Sequence, residues 1–326
     1  MPLTEEVRPF SGNSRRPLVV IVGPTAVGKT EIAIRLAERL RGEIVSADSR
    51  LFYRGMDIGT AKPTLDERAR VPHHLIDVAD PDRVWNLAIF HQAARQAIAK
   101  VHAHRHLPLL VGGTGQYVHS VIEDWRVPAV KPDARLREAL QAWAGEIGPH
   151  ALHARLAVLD PPAASGIDYR NLRRTVRALE VIFRTGRRFS EQQQRGESPY
   201  RTLILGLSRP RPELYRRIDA RIDAMLAGGL VEEVRTLLAL GFDRDLPTFS
   251  AIGYREIIAF LDGEITLEQA RALMKRRTRQ FVRRQANWFK PEDPNILWFI
   301  VGANTVDEME QEISAWLKHQ GLNETG

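Results

Sequence analysis

Residues 23–30 read Gly-Pro-Thr-Ala-Val-Gly-Lys-Thr, the spacing G-x-x-x-x-G-K-T, directly after the apolar run Leu18–Val22. Glycines at 23 and 28 let the backbone close around a phosphate chain with its N–H groups pointing inward. Lys29 adds positive charge, and the Thr30 hydroxyl suits Mg²⁺. Gly23, Pro24, Thr25, Ala26, Val27, Gly28, Lys29 and Thr30 therefore form a candidate phosphate cradle, with Thr30 as the candidate metal ligand. In a common ATPase or GTPase this loop is partnered by an apolar strand ending in a metal-holding Asp. Here the corresponding strand, from Leu107, ends in Gly112-Gly113-Thr114. A hydroxyl at that place suits a bridging or leaving oxygen better than a hydrolytic water, which weighs against an ATPase. Asp48 follows the run Glu43–Ala47. It can serve as a base beside the phosphates, assist the metal, or cap a turn by bonding the backbone two residues on. Thr114 has an equally simple alternative as a turn or helix N-cap hydroxyl.

Between Glu268 and Glu292 the chain carries Arg271, Lys275, Arg276, Arg277, Arg279, Arg283, Arg284 and Lys290 without one acidic residue. On a helix, Arg271, Lys275, Arg279 and Arg283 form an i, i+4 stripe, with Met274, Phe281, Gln285 and Trp288 on the neighbouring face. The expectation is that one side packs and the other meets nucleic-acid phosphate, since a merely solvated basic face usually interleaves Glu. A second cluster, Arg170, Arg173, Arg174 and Arg177, lies earlier in the chain. The run His102-x-His104-x-His106 has a metal-compatible spacing. The favoured reading is a helix C-terminus whose dipole suits positive charge.

These residues need a scaffold. Leu18–Val22, Glu43–Ala47, His74–Val78 and Leu107 to Thr114 read as strands, Glu31–Leu40 as a helix, and Asn86 as the cap of a helix running to about His104. Alternation of this kind implies an α/β fold with a doubly wound, mostly parallel sheet of P-loop NTPase-like type, whose strand ends carry the ligand sites. After Trp125 the character turns helical with proline-bearing boundaries, and a strand returns at Thr202–Gly206. The expected organisation is a disordered tail over 1–16, a catalytic core over 17–126 and 201–310, a helical insertion over 127–200, and a tail over 311–326. Lys plus Arg number 47 against 40 Asp plus Glu, a net charge of +7 that admits an anionic partner. The absence of cysteine excludes disulfides, thiolate metal sites and a cysteine nucleophile. No stretch reads as a signal h-region or membrane span, so the expected location is the cytoplasm, with no membrane partner.

Several longer segments carry a resemblance: GPTAVGKT at 23–30, DSRLFYRGMDIGTAKP at 48–63, PHHLID at 72–77, VGGTGQY at 111–117, RALEV at 177–181 and IGYRE at 252–256. In this order they resemble the tRNA dimethylallyltransferases, in the bacterial form that lacks a zinc-finger extension. The resemblance implies that residues 23–30 hold the diphosphate of dimethylallyl diphosphate, with Mg²⁺ beside Thr30. It implies transfer of the dimethylallyl group to the exocyclic amine of the adenine 3′ of the anticodon in the anticodon stem-loop of tRNA. Asp48 would accept the amine proton, Thr114 would contact the bridging oxygen, and Lys29 and Arg137 would stabilise the departing charge. Asp48, Ser49, Arg50 and Leu51 would contact the base. Arg173, Arg174 and Arg177, the stretch Ser250, Ala251, Ile252, Gly253, Tyr254 and Arg255, and Lys275, Arg277, Arg279, Arg283 and Arg284 would contact tRNA, with the protein acting as a monomer. Two positions depart from the family pattern: Asp168-Tyr-Arg-Asn171 stands where relatives commonly have His-Pro-Asn-Asp, and Leu51 where many have Gln. Competing readings are prenylation of free adenine nucleotides, a small-molecule P-loop kinase, and a non-catalytic RNA-binding module.

Overall fold

The computed structural model describes residues 15–83, 85–126, 130, 132–192 and 194–319. Residues 1–14 and 320–326 of the two expected tails, and the expected insertion boundary at 127, lie outside the described residues. In chain order the elements begin with β1 (Arg16–Val22), α1 (Lys29–Arg39), β2 (Gly42–Ser46), α2 (Leu65–Arg70), β3 (His73–His74), α3 (Leu87–Ala103), β4 (Leu107–Gly112), α4 (Gly115–Ile122) and β5 (Trp125–Arg126). There follow α5 (Ala134–Ile147), α6 (Pro149–Leu159), α7 (Pro161–Ser165), α8 (Leu172–Thr185), α9 (Phe189–Gln192), β6 (Gln194–Arg195) and β7 (Tyr200–Ser208). The chain closes with α10 (Arg211–Ala227), α11 (Leu230–Ala239), α12 (Tyr254–Leu261), α13 (Leu267–Gln285), β8 (Ile296–Ile300) and α14 (Thr305–His319). The described residues divide into two compact units, one drawn from 15–83, 96–118 and 198–319 and the other from 85–95 and 119–197.

The first unit holds a parallel sheet of order β3-β2-β4-β1-β7-β8. Its central strands are unbroken apolar runs because both faces are covered, and Leu18 to Val22 have no exposed surface. Parallel pairing fixes Val22 level with Gly112 and with Gly206, and Ser46 level with Val111. The segments leaving β1, β2 and β4 therefore emerge together at the carboxyl edge of the sheet. The third strand is shorter than the expected His74–Val78. Leu75 and Asp77 take left-handed φ values of 63° and 56°, and the chain turns to pair Asp77 and Val78 with the carbonyls of Leu51 and Phe52. At the termini, Arg16 already belongs to β1 opposite Tyr200, and α14 runs to His319. Residues 311–319 thus lie in a helix, which Arg39 ties to α1 through Asp307 and Glu310 at 2.6 and 2.7 Å.

The second unit is helical, with Leu140, Leu152, Leu156, Val176 and Leu179 in its core. Its α8 shows why the segment RALEV is built as it is: Ala178, Leu179 and Val181 pack inward, and Glu180 is fully buried beside them. The Glu180 carboxylate is satisfied by Arg137 through two bonds of 2.9 Å, by Arg177 at 2.6 Å and by the Asp133 N–H at 2.7 Å. A buried charge persists only when partnered this completely. Asn171 caps α8 by accepting from the Arg174 N–H at 3.2 Å, and Asp168 pairs with Arg170, so the segment that departs from the family pattern still performs local capping.

Candidate active site

The cradle forms as its sequence requires. Gly23 and Gly28 adopt φ of 147° and 112°, values open to glycine, and α1 starts at Lys29 so that its free N–H groups face the loop. The Lys29 ammonium folds inward onto the carbonyls of Gly23 and Pro24 at 2.9 and 2.8 Å. Enclosure of that ammonium lowers its pKa to about 8, the field of Asp48 opposing the shift and that of Arg221 adding to it. Three arginines absent from the sequence expectations gather at the same loop. Arg209 donates to the Val27 carbonyl and Arg217 to the Ala26 carbonyl, each at 2.8 Å. Arg221, whose pKa is pushed down by burial and by neighbouring Arg217, completes a concentrated positive field suited to a phosphate chain. Arg217 and Arg221 are spaced i, i+4 on α10, a visible signal that the strength of the α13 run overshadowed.

Asp48 and Thr114 follow neighbouring strands, β2 and β4, and the two segments are joined through Ser49. The Ser49 N–H reaches the Thr114 hydroxyl at 3.4 Å. Asp48 Oδ1 accepts the Arg50 N–H at 3.0 Å, which is the turn-capping bond weighed for it. No hydrogen bond to Oδ2 is found among the described residues, so one oxygen stays available as an acceptor. Gln285, the last residue of α13 and only 7% exposed, spans the two loops. Its amide oxygen accepts the Thr25 N–H at 2.9 Å, and its amide nitrogen donates to the Gly113 carbonyl at 3.0 Å. A side chain at Gly113 would collide with that amide, and one at Gly115 with Trp288, which accounts for glycine at both places.

The segment DIGTAKP is architectural. The N–H groups of Asp57, Ile58 and Gly59 converge on the Glu233 carboxylate at 2.9, 2.6 and 3.1 Å, and Tyr254 donates its hydroxyl to the same group at 2.6 Å. Lys62, with a side chain only 3% exposed, donates to the Tyr53 carbonyl at 2.8 Å and to Asp77 at 2.6 Å. This knot fixes the loop that follows Asp48, and Arg50 extends it to the Thr248 carbonyl at 3.2 Å.

The expected unpaired basic stripe is corrected by its surroundings. Arg271 and Lys275 both bind Asp223, at 2.7 and 2.8 Å, and Arg279 binds Asp219 at 2.5 Å. The acids come from α10, where sequence distance hid them. Arg277 is paired with buried Glu256. On the same helix Arg276, Arg283 and Arg284 are exposed, and no ion pair is found for them among the described residues. In the stretch 250–255, Tyr254 is fully buried and stacked on Phe249, and Ala251 and Gly253 are buried as well. Their side chains belong to the core, leaving Ser250 and Arg255 exposed there. In the helical unit Arg173 and Arg174 are exposed, whereas Arg177 and Arg137 share Glu180.

The lowered Lys29 pKa sets a pH dependence. Above about pH 8 the empty cradle holds a neutral amine, and an anionic ligand must restore its proton. Affinity for inorganic diphosphate is expected to fall by roughly tenfold per pH unit above that point. Calorimetric titration of the wild type and Lys29→Met, taken as a difference, cancels the ligand's own ionisation; a flat difference would show Lys29 charged throughout.

Comparison with known proteins agrees with this geometry. Residues 51–292 match the family model described as IPP transferase. A tRNA dimethylallyltransferase of Roseiflexus sp. (strain RS-1) is 51% identical over 297 residues, covering 91% of this chain and 97% of that protein. The crystal structure of the full-length tRNA isopentenylpyrophosphate transferase from Bacillus halodurans superposes with a TM-score of 0.71 at 42% identity, covering 94% of this chain and 98% of its own. A eukaryotic dimethylallyltransferase acting on tRNA gives a TM-score of 0.79 at 26% identity, covering 94% of this chain and 80% of its own. With its P-loop cradle, its hydroxyl-ended fourth strand and this extent of likeness, the chain belongs to the IPP transferase family, that of the tRNA dimethylallyltransferases.

Proposed function

We propose that this protein transfers the dimethylallyl group of dimethylallyl diphosphate to the exocyclic amine of the adenine immediately 3′ of the anticodon in tRNA, releasing diphosphate. The observation that carries the proposal is that Thr114 is bonded to Ser49, the residue next to Asp48, in a chain whose phosphate cradle is reinforced by Lys29, Arg209, Arg217 and Arg221. As the allylic carbon–oxygen bond lengthens, negative charge accumulates on the departing diphosphate, where the cradle amides and these cations hold it. The Thr114 hydroxyl donates to the bridging oxygen that becomes negative. The adenine amine attacks the allylic carbon, and its proton passes to Asp48. The adenine reaches this position by leaving its stack, as bases do in other enzymes that modify them. The hydroxyl of partly buried Thr30 is a hard donor that suits Mg²⁺. When bound, Mg²⁺ would add charge neutralisation on the diphosphate.

For tRNA we assign the exposed cations Arg173, Arg174, Arg255, Arg283 and Arg284, with Arg276 added, and Ser49, Arg50 and Leu51 at the base. The helical unit takes the role of an insertion that contacts RNA, and the protein acts as a cytoplasmic monomer on a single tRNA. Replacing both Arg283 and Arg284 with alanine is expected to weaken tRNA binding and to shrink the slope of log affinity against log salt by about 1.4–1.8. Filter binding across a salt series reads this directly, and an unchanged slope would mark both side chains as solvated only. Transfer of labelled dimethylallyl to unmodified tRNA, with AMP and ATP as parallel acceptors, tests the function. Label confined to tRNA beside the anticodon supports it; label on free nucleotides would assign prenylation of adenine nucleotides instead.

A further inference from the structure

At the opposite end of β2 from Asp48 lies a side-chain cluster that the transfer reaction does not use. Glu43, in β2, is 2% exposed and yet carries a carboxylate. Its partners are three imidazoles: His104 Nδ1 at 2.8 Å and His106 Nδ1 at 2.7 Å on Oε1, and His74 Nε2 at 2.6 Å on Oε2. Of the run His102-x-His104-x-His106, His102 turns away to the Pro17 carbonyl at 2.9 Å. Arg105 takes a left-handed φ of 59° between the other two, which lets residues 104 and 106 address the same oxygen. The frame is stiff, because Glu43 pairs with Pro108 across the parallel β2–β4 ladder and His106 directly precedes β4.

We propose that Glu43, His104 and His106 bind one divalent ion of the zinc class, with His74 as the outer partner that orients the carboxylate. The donor atoms of Glu43, His104 and His106 lie within 4.8 Å of one another, close enough to share an ion. A set of two imidazoles and one carboxylate suits Zn²⁺ and its borderline neighbours, whereas Mg²⁺ and Ca²⁺ favour oxygen alone. Zinc bonds of about 2.0–2.1 Å would require the imidazoles to draw back from their present hydrogen-bonding distances. Both are on the surface side, 45% and 39% exposed, so they have room to do so and leave an entry path for the ion and a water ligand. On binding, each ring shifts its proton from Nδ1 to Nε2. The His74 contact to the second carboxylate oxygen matches the outer-shell support that metal-binding carboxylates receive. At about 3.3 Å per strand residue the ion stands well away from Asp48, so its role is to clamp the start of β2, the end of α3 and the start of β4 together.

The test is calorimetric titration of chelator-treated full-length protein with Zn²⁺ alone, paired with thermal unfolding over the same concentrations. One saturable equivalent is expected, with a melting temperature that climbs as Zn²⁺ exceeds its Kd. That equivalent disappears in the double variant His104→Asn, His106→Asn, whose amide N–H groups can still donate to the buried Glu43 carboxylate while both imidazole ligands are lost. His74→Ala should weaken binding by about 10–100-fold without abolishing it. Absence of saturable binding, or binding that survives loss of both histidines, overturns the site. The same double variant should retain tRNA prenylation in zinc-free buffer containing Mg²⁺, which separates failure here from failure of the proposed function.

Discussion

Asp48→Ala is expected to slow dimethylallyl transfer by about 10²–10⁴-fold, the range for loss of a positioned general base. Diphosphate affinity near neutral pH should change far less, because two effects oppose each other. Removing the carboxylate relieves repulsion of the incoming anion. It also removes a field that supports the Lys29 charge, so the pKa of the ammonium, about 8 in the intact site, is lowered further. A second variant separates chemistry from architecture. Asn at position 48 can still accept the Arg50 N–H that Asp48 Oδ1 now takes at 3.0 Å, so the turn survives while the proton acceptor is gone. If Asp48→Asn is as slow as Asp48→Ala in single-turnover transfer, the carboxylate is the base. If Asp48→Asn recovers the wild-type rate, Asp48 serves only the turn.

What could be read from the sequence follows interaction range. The cradle was legible because its glycines, lysine and threonine act through consecutive backbone, and the sheet because its central strands are continuous apolar runs covered on both faces. Asp48 and Thr114 were legible as candidates since each ends such a run. The misreadings concern charge. Lys275 and Arg279 looked unpaired because their own helix offers no acid within four residues of either, but Asp223 and Asp219 arrive from α10. On that helix, residues two apart point about 200° apart, so Arg217 and Arg221 serve the cradle while Asp219 and Asp223 hold α13. No local pattern announces such division of labour between faces. The segment DIGTAKP shows the converse. It is part of the longest segment that carries the family resemblance, yet its backbone serves a knot around Glu233, and a side chain at Gly59 would meet the Tyr254 ring at 2.5 Å. Specific motifs mark where packing permits few alternatives, as well as where bonds are made.

Gln285→Ala is expected to cost about 10–10²-fold in transfer rate although this residue need not touch either substrate. Its amide joins Thr25 of the cradle to Gly113, the neighbour of Thr114, and it does so from the end of the helix that carries Arg283 and Arg284. Truncation leaves the buried Gly113 carbonyl unpaired, at about 1–3 kcal/mol, and the part-buried Thr25 N–H without its acceptor at a smaller cost. The loops relax to recover partners, and displacements near 1 Å between leaving-group donor and cradle are enough for a rate loss of order 10²-fold. Gln285→Glu sharpens the test, because it keeps an acceptor for the Thr25 N–H but sets an oxygen against the Gly113 carbonyl and a negative charge beside the cradle. Gly113→Ala approaches the same contact from the other side, its methyl group displacing the Gln285 amide. All three should lower kcat at temperatures well below unfolding while tRNA affinity holds within a few-fold. A helix anchor with no positioning role would instead lower the melting temperature and leave kcat of the folded protein unchanged, which is the result that would remove Gln285 from the mechanism. If kcat does fall, the helix proposed to grip tRNA also sets the distance between cradle and leaving-group donor, and RNA binding becomes a means of tightening the site where the diphosphate departs.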